Sequence, residues 1–215
     1  MSEYATRQAI IDHGRALTAA GLNHGTTGNI SVRHGDGLLV TPTGMGYDRL
    51  GAEDIVPMYM DGGFDGRLRP TSEWRFHRDI LQQRADVHAV VHTHAPYATV
   101  VSIQRREIPP LHYMIAAAGG PTIRCADYAT FGTAALSEAA LTALDGRLAC
   151  LLANHGMIAC GATLDKAVAL AVEVEELARQ YVLSLQLGGP VLLDSAEIDR
   201  VLEKFRTYGA QPDAV

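Results

Sequence analysis

The sequence predicts a layered α/β domain built on a mixed sheet. Short apolar runs typical of buried strands alternate with helical segments along the chain, the pattern of helices packed on a sheet. The stretch from Gly21 to Gly66 is instead rich in glycine and broken into short pieces, which favours hairpins and antiparallel pairs. The chain has 215 residues, enough for one sizeable core, and we expect a single domain over residues 1–215.

Periodicity and capping signals predict the individual elements. The first helix carries Ile10, Ile11, Gly14 and Leu17 on one face and stops at Gly21. The other expected helices run from Glu73 to about Arg84 with Thr71 or Ser72 as the cap, from Pro96, from Thr133 to near Gly146, from Thr163 to Leu187, and from the cap Ser195 to Tyr208 or Gly209. The expected strands are Ile30–Val32 paired with Leu38–Val40, then Val87–His92, Ile123–Ala126 and Leu148–Ala153.

Composition and charge restrict the class of partner. Apolar residues make up 47% and charged residues 20%, an ordinary globular balance, and the net charge of −6 counts against nucleic acid. The N-terminus lacks a signal-peptide pattern, and no apolar window is long enough for a membrane span. Cys125, Cys150 and Cys160 form no CxxC pair. We therefore expect a cytoplasmic protein that acts on a small molecule, without nucleic-acid or membrane partners.

Histidines at the ends of two apolar runs indicate a metal site. His92 and His94 lie two residues apart, so on a strand both imidazoles face the same side. One such pair alone is more often structural than metal-binding. His155 ends a second apolar run, however, and strand ends gather at the sheet edge where α/β proteins place their sites. With the nearby carboxylate of Glu73, three imidazoles fit Zn²⁺, and a displaceable fourth ligand makes such a site catalytic.

Two neighbours of these residues have supporting roles in this interpretation. His77 follows Glu73 by one helical turn, and we assign it to packing or to support of the ligands. Gly156 follows His155 directly, and we expect it to let the backbone turn sharply.

Three loops in the first third of the chain have the composition of an anion site. Gly25–Asn29, Thr41–Gly44 and Pro70–Glu73 combine hydroxyl or amide side chains with a glycine or a helix start, so backbone N–H groups can converge on a phosphate. Each loop alone is also an ordinary turn. Because the third runs directly into Glu73, the three together predict a phosphate bound beside the metal.

Eight stretches then carry a family resemblance from the first helix to the tail. They read GLNHGTTGNISVR, LLVTPTGMGYDRL, RPTSEWRFHRDIL, AVVHTHAPYATVVSI, IPPLHYMIAAAGG, YATFGT, LLANHGMIACG and EKFRTYG. In order and spacing they resemble the zinc-dependent class II aldolase/adducin family, most closely its branch acting on L-fuculose 1-phosphate. The resemblance implies a three-layer α/β/α sandwich around a mostly antiparallel sheet, one zinc ion per subunit, and a cyclic homotetramer with active sites at subunit interfaces.

The resemblance also implies roles for individual residues. The implied ligands and contacts are Glu73, His92, His94 and His155 for zinc, Gly28, Asn29, Thr43, Gly44, Thr71 and Ser72 for the substrate phosphate, and Phe131, Phe205 and Tyr208 for the aldehyde end of the pocket. The implied catalytic groups are Glu73, as acid/base, and Tyr113, which would reach the zinc site of a neighbouring subunit.

The implied reaction is the reversible cleavage of a ketose 1-phosphate into dihydroxyacetone phosphate and an aldehyde. The substrate would be L-fuculose 1-phosphate or a related 5-deoxy- or 5-methylthio-pentulose 1-phosphate, because the stretch HTHAPYAT and the pair Ala153-Asn154 leave the aldehyde open. Two alternatives also stay open. One is a pentulose-phosphate 4-epimerase on the same scaffold, and the other is a non-catalytic adducin-like module, which would need no metal site.

Overall fold

The computed structural model describes residues 2–206. Its strands are β1 (Asn29–His34), β2 (Gly37–Val40), β3 (Val56–Tyr59), β4 (Ala89–Thr93), β5 (Arg124–Ala126), β6 (Ala149–Leu152) and β7 (Gly156–Gly161). Its helices are α1 (Glu3–Ala19), α2 (Trp74–Gln83), α3 (Pro96–Ile103), α4 (Ala134–Ala143), α5 (Leu164–Gln186) and α6 (Ser195–Phe205). Short 3₁₀ segments occupy Tyr47–Arg49, Ala52–Asp54 and Tyr113–Ala118.

The strands form one sheet of seven in the order β3-β2-β1-β4-β7-β6-β5. Neighbouring strands are antiparallel except for the parallel pair β5 and β6, which confirms the mixed, mostly antiparallel prediction. Strand β7 lies between β4 and β6 and is antiparallel to both. Consequently β4 and β6 point the same way and end at the same edge of the sheet, where β1 begins with Asn29 opposite His92.

Helices cover both faces of this sheet. One core contains residues of α1, α3, α5 and α6, such as Ile10 and Leu170, and the other contains residues of α2 and α4, such as Phe76. Successive residues of β4 alternate between them, Val90 packing in the core under α2 and α4 and Val91 in the opposite one. The three-layer prediction is confirmed. Within residues 2–206, no helix combines the length and apolar character that crossing a bilayer requires.

Helix boundaries agree with the sequence in most places and differ at two N-termini. Helix α1 buries the predicted face of Ile10, Ile11, Gly14 and Leu17, and the predicted caps Thr133 and Thr163 are observed. The N-cap of α2, by contrast, is Glu73 rather than Thr71 or Ser72. The N-cap of α6 is Asp194 rather than Ser195, because the Asp194 carboxylate accepts the Glu197 N–H, and α6 ends earlier than predicted, at Phe205.

Two strands, β3 and β7, were not predicted from the sequence. Strand β7 directly follows His155. The chain reverses direction there, but Gly156 does not adopt the left-handed backbone of a sharp turn. The residue with the left-handed backbone is Asn154, at φ 55°. Gly156 is needed for close approach instead, since a Cβ at this position would lie 2.4 Å from the Thr93 carbonyl oxygen. The sharp-turn role predicted for Gly156 was therefore wrong.

Candidate active site

Four side chains meet at the sheet edge where β4 and β6 end. His92 lies within β4, His94 follows the last residue of β4, and His155 lies in the turn between β6 and β7. Glu73 caps α2, which packs on the face of the sheet that His92 shares with Phe76. The parallel directions of β4 and β6 explain why histidines 61 residues apart in sequence become neighbours, with ring centroids of His94 and His155 at 4.9 Å.

The four side chains point ligand atoms at one another. His94 Nε2 lies 3.0 Å from His92 Nε2. The two Glu73 oxygens lie 3.2 Å from His92 Nε2 and 3.2 Å from His155 Nε2. One potential ligand atom from each of the four lies within 4.8 Å of all the others. Such a set of three imidazoles and one carboxylate has the composition of a zinc site.

A hydrogen bond to the backbone fixes the tautomer of His92 in the form that a metal ligand needs. Its Nδ1 lies 2.9 Å from the Met157 carbonyl oxygen, and a carbonyl only accepts, so Nδ1 carries the proton. The lone pair is therefore on Nε2, the atom that faces His94 and Glu73. A backbone carbonyl that fixes the tautomer of a histidine in this way is typical of metal ligands.

Two observations test whether these residues fit a divalent ion. Glu73 Oε1 is buried and has no hydrogen-bond partner among the described residues, although a carboxylate oxygen removed from water needs one. His92 has its proton on Nδ1, so its Nε2 lone pair points into the cluster, where His94 Nε2 lies 3.0 Å away. A cation among these atoms would partner the Glu73 oxygen and the Nε2 lone pair of His92 together, so the donor set fits.

The protonation states of the candidate ligands also suit metal binding. Burial, and then the nearby His92 ring, lower the pKa of His94 to about 4 and that of His155 to about 4, so both rings are neutral near pH 7. Burial opposes ionisation of Glu73, but the facing His92 and His155 rings and the Asn29 amide outweigh it and hold the pKa of this carboxyl below its ordinary value. The site therefore presents the neutral imidazoles of His94 and His155 beside an ionised carboxylate.

A buried hydrogen-bond chain supports Glu73 from behind. Asn29 Nδ2 donates to Glu73 Oε2 at 2.9 Å, and Asn29 Oδ1 lies 2.5 Å from His77 Nε2. Because Oδ1 can only accept, His77 carries its proton on Nε2, and its Nδ1 accepts the Ser31 hydroxyl at 2.7 Å. Burial, and then the His92 ring, lower the pKa of His77 to about 3, which keeps this ring neutral. In this chain His77 therefore reaches the carboxylate of Glu73 through Asn29.

A cavity of about 410 Å³ opens beside the four residues. Its described lining contains no lysine or arginine. The lining residues are Thr26, Thr27, Gly28, Asn29, Pro42, Thr43, Gly44, Thr71, Ser72, Glu73, His94, Tyr128, Ala129, Phe131, Asn154 and His155. The three loops predicted to bind an anion therefore meet the predicted ligands in one cavity, and the fully buried His92 lies behind it.

Not every predicted site residue lies at this cavity. Tyr113 is 50% exposed and lines a separate surface groove with His112 and Arg200. Phe205 lines another cavity, which also includes Met114. Tyr208 lies outside the described residues. Within one chain, the structure therefore brings together the predicted ligands, the predicted anion loops and Phe131, and leaves Tyr113 and Phe205 elsewhere.

Of the other lining residues, Thr26, Thr27 and Pro42 were predicted from the sequence only as parts of the anion loops, and Tyr128, Ala129 and Asn154 were given no site role. All six lie inside stretches that the resemblance uses, GTTGN, TPTG, YATFGT and ANHG. The signal that could have found them is adjacency to the predicted ligands, as for Asn154, which directly precedes His155.

Comparison with known proteins agrees with this geometry. The model of the class II aldolase and adducin N-terminal domain matches residues 8–182. The chain belongs to the class II aldolase and adducin family. It is 57% identical over 208 residues to 5-methylthioribulose-1-phosphate/5-deoxyribulose-1-phosphate aldolase of Rhodospirillum rubrum, covering 97% of this chain and 94% of that relative. It is 53% identical over 201 residues to L-fuculose phosphate aldolase of Escherichia coli K12, covering 93% and 94%.

The solved structures place this class II aldolase family member in the same fold. One structure of L-fuculose 1-phosphate aldolase superposes with a TM-score of 0.91 at 39% identity, covering 93% of this chain and 95% of that one. The helix-covered, mostly antiparallel sheet is therefore shared with a known aldolase, and the predicted family and fold class are both confirmed.

Proposed function

We propose that this chain is a zinc-dependent class II aldolase. It reversibly cleaves a ketose 1-phosphate, either L-fuculose 1-phosphate or a 5-deoxy- or 5-methylthio-pentulose 1-phosphate, into dihydroxyacetone phosphate and an aldehyde. The observation that carries this proposal is the single cavity in which Glu73, His94 and His155 meet the three anion loops. The names of the two relatives above support the same reaction on the same class of sugar phosphate.

Glu73, His92, His94 and His155 would hold the metal, and the three nitrogen ligands with one carboxylate favour zinc among the divalent ions. When bound there, zinc supplies Lewis-acid stabilisation of the negative charge that develops on the substrate oxygens as the carbon–carbon bond breaks.

The anion loops bind and orient the phosphate in this proposal. Thr43, Thr71 and Ser72 offer hydroxyl groups, and the glycines between them let backbone N–H groups approach an anion closely. Gly28 has φ 81°, and a Cβ there would lie 2.1 Å from Asn23 Oδ1, so only glycine suits this position. Anchoring the phosphate holds the reacting carbons beside Glu73 and the three histidines, and this orientation contributes to the rate.

Cleavage requires two proton transfers, and Glu73 is placed for one of them. As the C3–C4 bond breaks, the C4 hydroxyl loses a proton to become the aldehyde, and C3 gains a proton to give dihydroxyacetone phosphate. The carboxylate of Glu73 is buried in the cavity wall, with Oε2 held by Asn29 and Oε1 unbonded among the described residues. Ionised near pH 7, this carboxylate gains a proton from solvent through the open cavity and then delivers it to C3.

Tyr113 takes the C4 hydroxyl proton in this proposal, from a neighbouring subunit. Its half-exposed side chain lies outside the cavity of its own chain, which leaves it free to act in another subunit's site. The homotetramer in this proposal rests on the family resemblance. The three cysteines are free thiols, and we extend the proposal to a cytoplasmic location.

A cleavage assay tests this function. Purified protein is incubated with L-fuculose 1-phosphate, 5-deoxyribulose 1-phosphate, 5-methylthioribulose 1-phosphate and ribulose 1-phosphate, and dihydroxyacetone phosphate release is measured by coupled reduction. We expect release from at least one of the first three, and loss of that release with a chelator. Interconversion of pentulose 5-phosphates without cleavage would favour the 4-epimerase. Absence of both activities together with absence of bound metal would favour the adducin-like module.

A further inference from the structure

Arg105 and Asn154 share an unusual backbone and contact each other. They are the two non-glycine residues with positive φ within residues 2–206, at 51° and 55°. Left-handed backbone is costly for most residues with a Cβ, although asparagine tolerates it, so Arg105 is the outlier of the two, and such outliers concentrate at functional sites. Arg105 Nε donates to Asn154 Oδ1 at 2.9 Å, so these two left-handed positions, 49 residues apart in sequence, are in direct contact.

This pair borders the active-site cavity. Asn154 and Tyr128 both line it, and the Arg105 guanidinium lies over the Tyr128 ring, 6.0 Å from its centroid. The Asn154 N–H donates to the Ser102 carbonyl at 3.1 Å, which ties the β6–β7 turn to the end of α3. Arg105 itself does not line the cavity but contacts two residues that do. Arg105 thus contacts Asn154 and Tyr128, two residues of one wall of the cavity.

The position of this wall within the cavity indicates which end of the substrate it contacts. The hydroxyl and glycine loops form the side of the cavity that suits the phosphate, and Glu73, His94 and His155 form the reacting centre. The remaining lining is Tyr128, Ala129, Phe131 and Asn154. A ketose phosphate anchored by its phosphate and reacting beside the histidines leaves its aldehyde end for this remaining wall.

The hydrogen bond from Arg105 determines what Asn154 offers to a substrate. A carboxamide has one acceptor oxygen and two N–H donors. Because Oδ1 accepts from Arg105, the group left for a ligand is the Nδ2 amide, which donates. Of the candidate aldehyde ends, that of L-fuculose 1-phosphate carries a C5 hydroxyl that can accept such a bond. The 5-deoxypentulose substrate has no oxygen at this carbon.

We propose that Arg105 is a positioning residue that sets Asn154 to donate to the C5 hydroxyl of a 6-deoxyhexulose 1-phosphate. The pair then raises selectivity for that substrate over 5-deoxypentulose 1-phosphates. This inference deepens the proposed aldolase function and rests on it.

The test measures kcat and KM for L-fuculose 1-phosphate and 5-deoxyribulose 1-phosphate in matched variants. Asn154→Asp keeps a side chain that tolerates positive φ and accepts from Arg105, but removes the N–H donor. Arg105→Ala removes the donor to Asn154, whereas Arg105→Lys places another side-chain donor at the same backbone position. Arg106→Ala, at the exposed neighbouring position, is the control. Bound metal and Tm are recorded for each variant.

We expect Asn154→Asp and Arg105→Ala to lower kcat/KM for L-fuculose 1-phosphate about tenfold, a scale typical of one pocket contact. The value for 5-deoxyribulose 1-phosphate should change less than about twofold, Arg105→Lys should recover part of the loss, and Arg106→Ala should resemble wild type. An equal loss on both substrates would overturn the inference, since it would indicate a general effect on phosphate or fold. An unchanged ratio in active variants would also overturn it, whereas an inactive wild type would instead refute the aldolase function.

Discussion

Asn29 Nδ2 donates to Glu73 Oε2 at 2.9 Å, and this bond couples the ligand group to a buried chain that ends at Ser31. The strand register explains the contact, because Asn29 opens β1 directly opposite His92 of β4. The side chain that the resemblance assigns to phosphate binding thus has both of its polar atoms engaged inside the protein.

Replacing Asn29 by leucine should weaken metal binding. The variant removes the donor that orients Glu73, and loss of such a supporting bond typically lowers metal affinity about 10–100-fold. Competition with a chromophoric chelator measures this change. Ser31→Ala, at the far end of the same chain, should lower stability by about 1–3 kcal/mol because His77 Nδ1 loses its donor. It should alter metal affinity less. Equal affinity in Asn29→Leu and wild type would refute the supporting role.

Glu73→Gln should remove most of the activity while leaving the protein folded. Glutamine keeps the size of the side chain and still accepts from Asn29, but it cannot carry the proton to C3. Loss of a general acid/base lowers the rate about 10²–10⁴-fold, and kcat should fall accordingly. The measurement is triose phosphate release at saturating substrate with metal content determined in parallel. A variant with full metal and wild-type kcat would contradict the catalytic role of Glu73.

Gly156→Ala should affect both stability and the metal site. The new Cβ would lie 2.4 Å from the Thr93 carbonyl oxygen and 3.1 Å from His94 Cδ2, so β4 or β7 must shift next to the ligand. Overpacking of this kind costs about 1–3 kcal/mol. The matched control is Gly161→Ala at the other end of β7, where a Cβ would lie 2.5 Å from the Ala167 nitrogen. Both should lower Tm, but only Gly156→Ala should lower metal affinity.

Glu175 should stabilise helix α3, which begins two residues after His94. Its carboxylate accepts the N–H groups of Tyr97 at 2.9 Å and Ala98 at 2.8 Å, so it caps α3 from helix α5. Glu175→Ala should lower the free energy of unfolding by about 1–2 kcal/mol, as loss of an N-cap does. Glu176→Ala removes the neighbouring carboxylate, whose partners are Arg179 and Gln180, and serves as control. Urea denaturation of the two variants compares them, and equal destabilisation would argue against the capping role.

Much of the site could be predicted from the sequence because its signals are local. The alternation of His92 and His94 and the apolar run before His155 indicate strand ends directly, and their meeting requires only that two strands point the same way. What the sequence could not provide is the strand β7 that enforces this. Its residues form a short apolar run directly after the His155 turn, with no polar alternation to mark a separate strand.

Roles that depend on long-range contacts were harder to predict. Asn154, rather than Gly156, takes the left-handed turn position, and its contact with Arg105 joins residues 49 apart in sequence. The N-cap of α2 is Glu73, whose side chain makes no capping hydrogen bond and instead accepts from Asn29, a contact 44 residues away that the local capping pattern does not contain. Tyr113 stays a prediction, since its role requires a second subunit.

Adding zinc back to stripped protein tests the central claim most directly. Protein treated with a chelator and freed of it is titrated with Zn²⁺, and dihydroxyacetone phosphate release from L-fuculose 1-phosphate or 5-deoxyribulose 1-phosphate is followed. A site formed by Glu73, His92, His94 and His155 predicts no release from the stripped protein and a linear recovery that ends at about one equivalent per chain. His94→Ala should fail to recover. Full release from the stripped protein, or recovery in His94→Ala equal to wild type, would contradict the account.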